Sequence, residues 1–101
     1  MITDEQIISR FFLAIDSIIS RGDIRGLQTF TSMHGIDRRN LLKIKKDPQR
    51  FKGMFRPCWL SYLVDGFGVS PMWLLTGIGS AFQDTPSPVA VSQGEGGLKQ
   101  A

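Results

Sequence analysis

An all-α domain of five helices is what the sequence predicts, and three observations predict it. Apolar residues recur at three- and four-residue steps in successive short segments, which is helical spacing. Helix-ending and helix-starting residues punctuate the chain at Gly22, Gly35, Asp47-Pro48, Ser70-Pro71 and Gly77. No segment alternates apolar and polar residues like a pair of half-buried strands.

The first helix is predicted over 4–21. Ile7, Ile8, Phe11, Phe12, Ile15, Ile18 and Ile19 share one face, Thr3 or Asp4 caps the start, and Gly22 ends it. The second is predicted over 26–34, with Leu27 and Phe30, and less firmly Met33, turned inward and Gly35 as its stop. Asp37 caps a third helix over 38–46, seated by Leu41 and Ile44, and Asp47-Pro48 ends it because proline disfavours helical geometry in its predecessor. Residues 47–56 read as a basic loop. Pro57 opens a fourth helix over 57–66 through Trp59, Leu60, Leu63 and Val64. Ser70-Pro71 opens a fifth over 71–76, with Trp73, Leu74 and Leu75 as its buried part.

The 101 residues, 42% apolar and 21% charged, suit a single core. Residues 1–82 form that domain in this reading, and 83–101 form a disordered tail or linker of Pro, Ser and Gly. The single cysteine, Cys58, excludes an internal disulfide and a cysteine-based zinc site; a cytoplasmic setting suits it. The acidic, polar start differs from a secretory signal, and no apolar run is long enough to span a bilayer.

Charge is unevenly placed. Residues 35–57 hold eight lysines and arginines against Asp37 and Asp47, a net of +6, whereas the segments on either side are each net negative. Such a concentrated patch suits a polyanion, although a solvated face is equally compatible with charge alone. The helical wheel of the third helix separates the two. Opposite Leu41 and Ile44 lie Arg39, Leu42, Lys43 and Lys46, with Arg38 at the edge near the helix start, and no acid interrupts 38–46. Two short helices joined through Gly35 form a helix-turn-helix pattern, in which a small residue belongs at position 31; Thr31 is larger than that.

In a major groove, Arg38 and Arg39 are placed for guanine O6 and N7, Leu42 for a thymine methyl, and Lys43 and Lys46 for phosphates or guanine. Arg50 and Lys52 in the loop, and Gln28 and Thr29 at the start of the second helix, are candidates for the phosphate backbone. The expected partner is double-stranded DNA, with no cofactor, metal, membrane or small-molecule substrate.

Residues 26–46 resemble the helix-turn-helix of the lambda-repressor-like family. Residues 67–82, Phe-Gly-Val-Ser-Pro-Met-Trp-Leu-Leu-Thr-Gly-Ile-Gly-Ser-Ala-Phe, resemble the "GVSPxWLLTGxG" ending of phage-repressor-like regulators. The resemblance implies a five-helix domain, a transcriptional regulator or repressor of bacterial or phage type, recognition through the third helix and a homodimer on a near-palindromic operator. Thr31 departs from the family's usual alanine, and the long 47–56 loop is a second departure. Many relatives carry a further peptidase-like domain past such a linker; its lack here puts induction in doubt and removes the usual dimerisation domain.

The remaining signals point to structure. His34 and Cys58 are too few for a catalytic or metal site, so no enzyme is expected, and Cys58 reads as a small buried hydrophobe. Gly66-Phe-Gly68 and Gly77-Ile-Gly79 are helix stops rather than phosphate loops. Trp59 and Trp73 belong to the core. Phe51, Met54 and Phe55 are divided between core and a self-association patch. The competing function is a protein-interaction module built on the same fold without DNA binding.

Overall fold

A computed structural model describes residues 1–83, and these are mostly helical. The elements run α1 (Asp4–Ser20), α2 (Leu27–His34), α3 (Arg38–Lys46), α4 (Pro48–Phe51), a 3-10 turn (Lys52–Met54), α5 (Cys58–Phe67) and α6 (Pro71–Thr76). The tail expected from 83 onward lies outside the described residues except for Gln83.

The long α1 is the spine of the fold. Its start is a reciprocal cap: the Gln6 N–H donates to Thr3 Oγ1 at 3.3 Å, and the Thr3 N–H donates to Gln6 Oε1 at 3.0 Å. Its inner face buries Ile8, Phe11, Phe12, Ala14, Ile15 and Ile18, and α3, α4, α5 and α6 all pack against it. Phe11 anchors this packing. Its ring meets Phe30 of α2 at 5.9 Å, Phe55 at 5.0 Å and Trp59 of α5 at 6.2 Å between centroids. The first two contacts are edge-on, the favourable arrangement for aromatic quadrupoles.

The segment 47–56 is not the open loop the sequence suggests. Asp47 ends α3 and also starts α4: its carboxylate accepts from the Arg50 N–H at 3.3 Å, with Pro48 in the first turn. Asp-Pro therefore serves as both stop and start, and the chain continues through a short helix and a 3-10 turn. Phe51, Met54 and Phe55 all pack half-buried on the core, so the expected division between core and surface does not occur.

Three further differences concern the second half. Helix α5 begins at Cys58 with Pro57 as its cap and runs through Gly66 to Phe67. Cys58 is exposed, not buried, because the first turn of α5 turns Trp59 rather than Cys58 toward the core. In α6 only Leu74 is fully buried; Trp73 is half-buried and Leu75 is 44% exposed, since so short a helix presents only one residue per turn to the core. Beyond α6 the chain folds back. Val69 and Phe82 form an isolated antiparallel bridge, the Ser70 N–H donates to Ala81 O and the Gln83 N–H to Gly68 O, each at 2.8 Å, and the Arg21 guanidinium covers the Phe82 ring at 4.1 Å.

Arg10 of α1 closes the end of α6. Its Nε donates to Leu74 O at 2.9 Å and its Nη2 to Leu75 O at 3.0 Å, satisfying carbonyls that the helix leaves open. Gly77 follows with φ 80°, and a Cβ there would lie 3.2 Å from Arg10 Nη1.

Candidate nucleic-acid interface

The turn between α2 and α3 is fixed by three features. Gly35 takes the left-handed φ of 64°, which an L side chain adopts only with strain. The Ile36 N–H donates back to Thr31 O at 2.9 Å. Thr31 itself is buried, and its hydroxyl donates to Gln28 O at 3.0 Å, so the residue larger than expected is satisfied within its own helix.

Helix α3 is seated by Leu41 and Ile44, both fully buried. Asp37 caps it: Oδ1 accepts from the Arg39 N–H at 2.9 Å and from the Asn40 N–H at 3.3 Å. Arg38, Arg39, Leu42, Lys43 and Lys46 are exposed, and Leu42 shows 40% of its surface to solvent. At about 1.5 Å per residue the helix is roughly 13 Å long, with an uninterrupted basic and apolar outer face.

The cations of the described chain divide into two groups. Arg10 is engaged with α6, Arg21 pairs with Asp23 at 3.1 Å, Lys45 reaches Asp16 at 3.8 Å and Lys52 reaches Glu5 at 3.5 Å. Among the described residues Arg25, Arg38, Arg39, Lys43, Lys46, Arg50 and Arg56 have no ion pair. Arg25 lies just before α2, and the other six lie on α3 or in the segment that follows it. The two acids within residues 35–57, Asp37 and Asp47, are both helix caps.

The predicted site residues are not all brought together. Lys43 and Lys46 share a surface hollow with Arg50. Gln28 and Thr29 line a separate open groove with Arg25, Ser32 and Met33. Lys52 lies elsewhere, in an apolar groove with Asp4, Ile7, Phe55 and Leu75 on the α1–α5–α6 side. The sequence reading missed Arg25 and Arg56. The charge of both is visible in the sequence; for Arg56 the direction in which the 47–56 segment turns is not. Met33, given as a weak inward candidate, is exposed.

Behind the turn, His34 stacks on Tyr62 at 4.1 Å with the rings 3° from parallel, and Phe30 lies 4.8 Å away. His34 Nε2 is shielded from solvent and has no hydrogen-bond partner among the described residues. Loss of hydration lowers the His34 pKa from its ordinary value. The Tyr62 hydroxyl approaches Cys58 Sγ at 3.8 Å. Among the described residues no group of three or more His, Cys, Asp or Glu is placed to hold a metal ion, and no helix is long and apolar enough to cross a membrane.

No protein-family model matches this chain, and searches of the curated proteins and of the solved structures return no match either.

Proposed function

We propose that this chain is a sequence-specific double-stranded DNA-binding regulator of the lambda-repressor-like kind, reading the major groove with α3. One observation carries the reading: among the described residues the cations without ion pairs all fall between residues 25 and 56, in and around the helix-turn-helix, while the two acids within 35–57 are held in helix caps. A solvated face ordinarily mixes both signs, whereas a phosphate-binding face leaves its cations free. In this assignment Arg38 and Arg39 reach base edges from the start of α3, Leu42 meets a thymine methyl, and Lys43 and Lys46 hold the backbone. Gln28 and Thr29 lie at the start of α2, whose Gly26 cap leaves the first amides without a side-chain partner.

The regulator binds as a homodimer across half-sites about 34 Å apart. The contact uses Met72 and Leu75 of α6 and Ile78 beyond its end, all exposed, rather than the half-buried Phe51, Met54 and Phe55. The same exposed apolar residues favour the second reading, a protein-interaction module without DNA binding.

Selection of bound sites from a pool of random duplexes, followed by footprinting, tests the proposal. Enrichment of a short repeated motif, protected over about one helical turn per half-site, is the expected result. Failure to enrich any motif contradicts sequence-specific recognition.

A further inference from the structure

Asp37 and Arg56 carry opposite charges and line the same hollow, yet they form no ion pair. The hollow, of about 420 Å³, lies where the α2–α3 turn, the first turn of α3, the 3-10 turn and the start of α5 meet. Small-molecule sites span roughly 300–1,000 Å³, so its size suits a small ligand.

Three polar side chains at the hollow have hydrogen-bonding capacity to spare. Asp37 uses Oδ1 for both cap amides, and Oδ2 has no hydrogen bond or ion pair among the described residues. Arg56 is exposed and its guanidinium is equally unengaged among the described residues. The half-buried Asn40 contributes its backbone N–H to the cap, while its side-chain amide has no partner among the described residues. Apolar side chains supply the rest of the lining: Trp59 is 9% exposed, and Ile36 and Met54 are half-buried on the core. The other two lining residues, Gly35 and Gly53, add no side chain, and a Cβ at either would meet nothing within 4 Å.

The two charges select the occupant. An anion held by Arg56 would face the Asp37 carboxylate, and a cation held by Asp37 would face Arg56. A molecule that carries both signs on one carbon answers both, and the apolar lining suits an apolar side chain beside them. We infer that this hollow binds a free α-amino acid with an apolar side chain. The Arg56 fork holds the carboxylate, Asp37 Oδ2 accepts from the ammonium, and the Asn40 amide, donor and acceptor in one, joins either. The side chain lies against Trp59, Met54 and Ile36, where loss of apolar surface to water adds to binding. Occupancy ties the capped start of α3 to the segment leading into α5, which makes this an effector site. The inference does not rest on the DNA-binding reading, because binding is measured with no DNA present.

Isothermal titration calorimetry of the full chain with L-leucine, L-methionine and L-phenylalanine tests it. At least one should saturate at one molecule per chain. Glycine, and the N-acetyl and amide derivatives of that probe, should bind at least about tenfold more weakly, since each lacks the side chain or one charge. Arg56→Gln should abolish the preference for the free acid over the amide. Asp37→Asn, which keeps the cap acceptor, should abolish the preference for the free amine over the N-acetyl form. Asp65→Asn, an exposed charge outside the hollow, should change neither preference. Thermal unfolding followed by circular dichroism checks that each variant folds. No saturation by any of the three probes at about 10 mM overturns the inference. So does an N-acetyl or amide derivative that binds as tightly as its parent, or a folded Arg56→Gln variant that keeps the unaltered preferences.

Discussion

Asp37 has two roles that substitution can separate. Its Oδ1 accepts from the Arg39 and Asn40 amides, and its negative charge sits at the positive end of α3, beside the cations assigned to DNA. Asn keeps an acceptor of equal capping quality and removes only the charge, at a cost of about 0.5 kcal/mol from the helix dipole. Ala removes the acceptor as well, for a total of about 1.5 kcal/mol. In a domain of this size these correspond to falls in Tm of about 2–4 °C for Asp37→Asn and 6–12 °C for Asp37→Ala. On DNA the sign reverses. Removing one negative charge about 8 Å from a phosphate relieves roughly 0.5 kcal/mol in water, so Asp37→Asn should bind random duplex about twofold more tightly. Thermal unfolding by circular dichroism and fluorescence anisotropy on a labelled duplex read the two effects. Equal destabilisation by both substitutions refutes the cap, and weaker random-duplex binding by Asp37→Asn refutes the placement of the α3 start beside phosphates.

Arg39→Ala should cost about 1–3 kcal/mol on the selected site and relax preference at one position, whereas Lys46→Ala should weaken all duplexes alike; parallel titrations on selected and random DNA check both. Arg10→Met should lower stability by about 1.5–3 kcal/mol in urea unfolding, because two carbonyls at the end of α6 lose a charged donor. His34 gives a pH signature. Its pKa is lowered in the folded protein, so the unfolded chain binds the proton more readily. The neutral ring's contribution is complete above the unfolded value of about 6.5 and is lost as pH falls through it toward the folded value. His34→Phe, which keeps a ring against Tyr62, should flatten that part of the stability profile, and urea midpoints between pH 5 and 8 measure it.

Helices with a clear face were legible in the sequence because periodicity and caps agreed. Phe11, Leu41 and Ile44 are buried where their spacing puts them, and Thr3, Asp37 and Ser70 cap where their side chains allow. Helix α4 was not legible, since four residues carry no period and Asp47-Pro48 reads equally as an ending and a beginning. The outer face of α3 followed from the wheel, because Leu41 and Ile44 fix its rotation. The cations after α3 did not, because their direction depends on how a short helix and a 3-10 turn lay Phe51, Met54 and Phe55 on the core. Lys52 was thus grouped with Arg50 although it faces Glu5, and Arg56 was passed over. Residue type alone suggests burial for Leu75 and Cys58, yet six-residue α6 buries only Leu74 and the start of α5 turns Trp59 inward in place of Cys58.

The central claim is that the unpaired cations of residues 25–56 form a surface for the phosphate backbone. The most direct test is the affinity of the unaltered protein for a random duplex, measured by anisotropy from 50 to 200 mM salt. If about five of these cations meet phosphates, log affinity should fall against log salt with a slope of about −4.5. Absent binding at the lowest salt, or a slope near zero, contradicts the account and leaves the basic stripe as a solvated face.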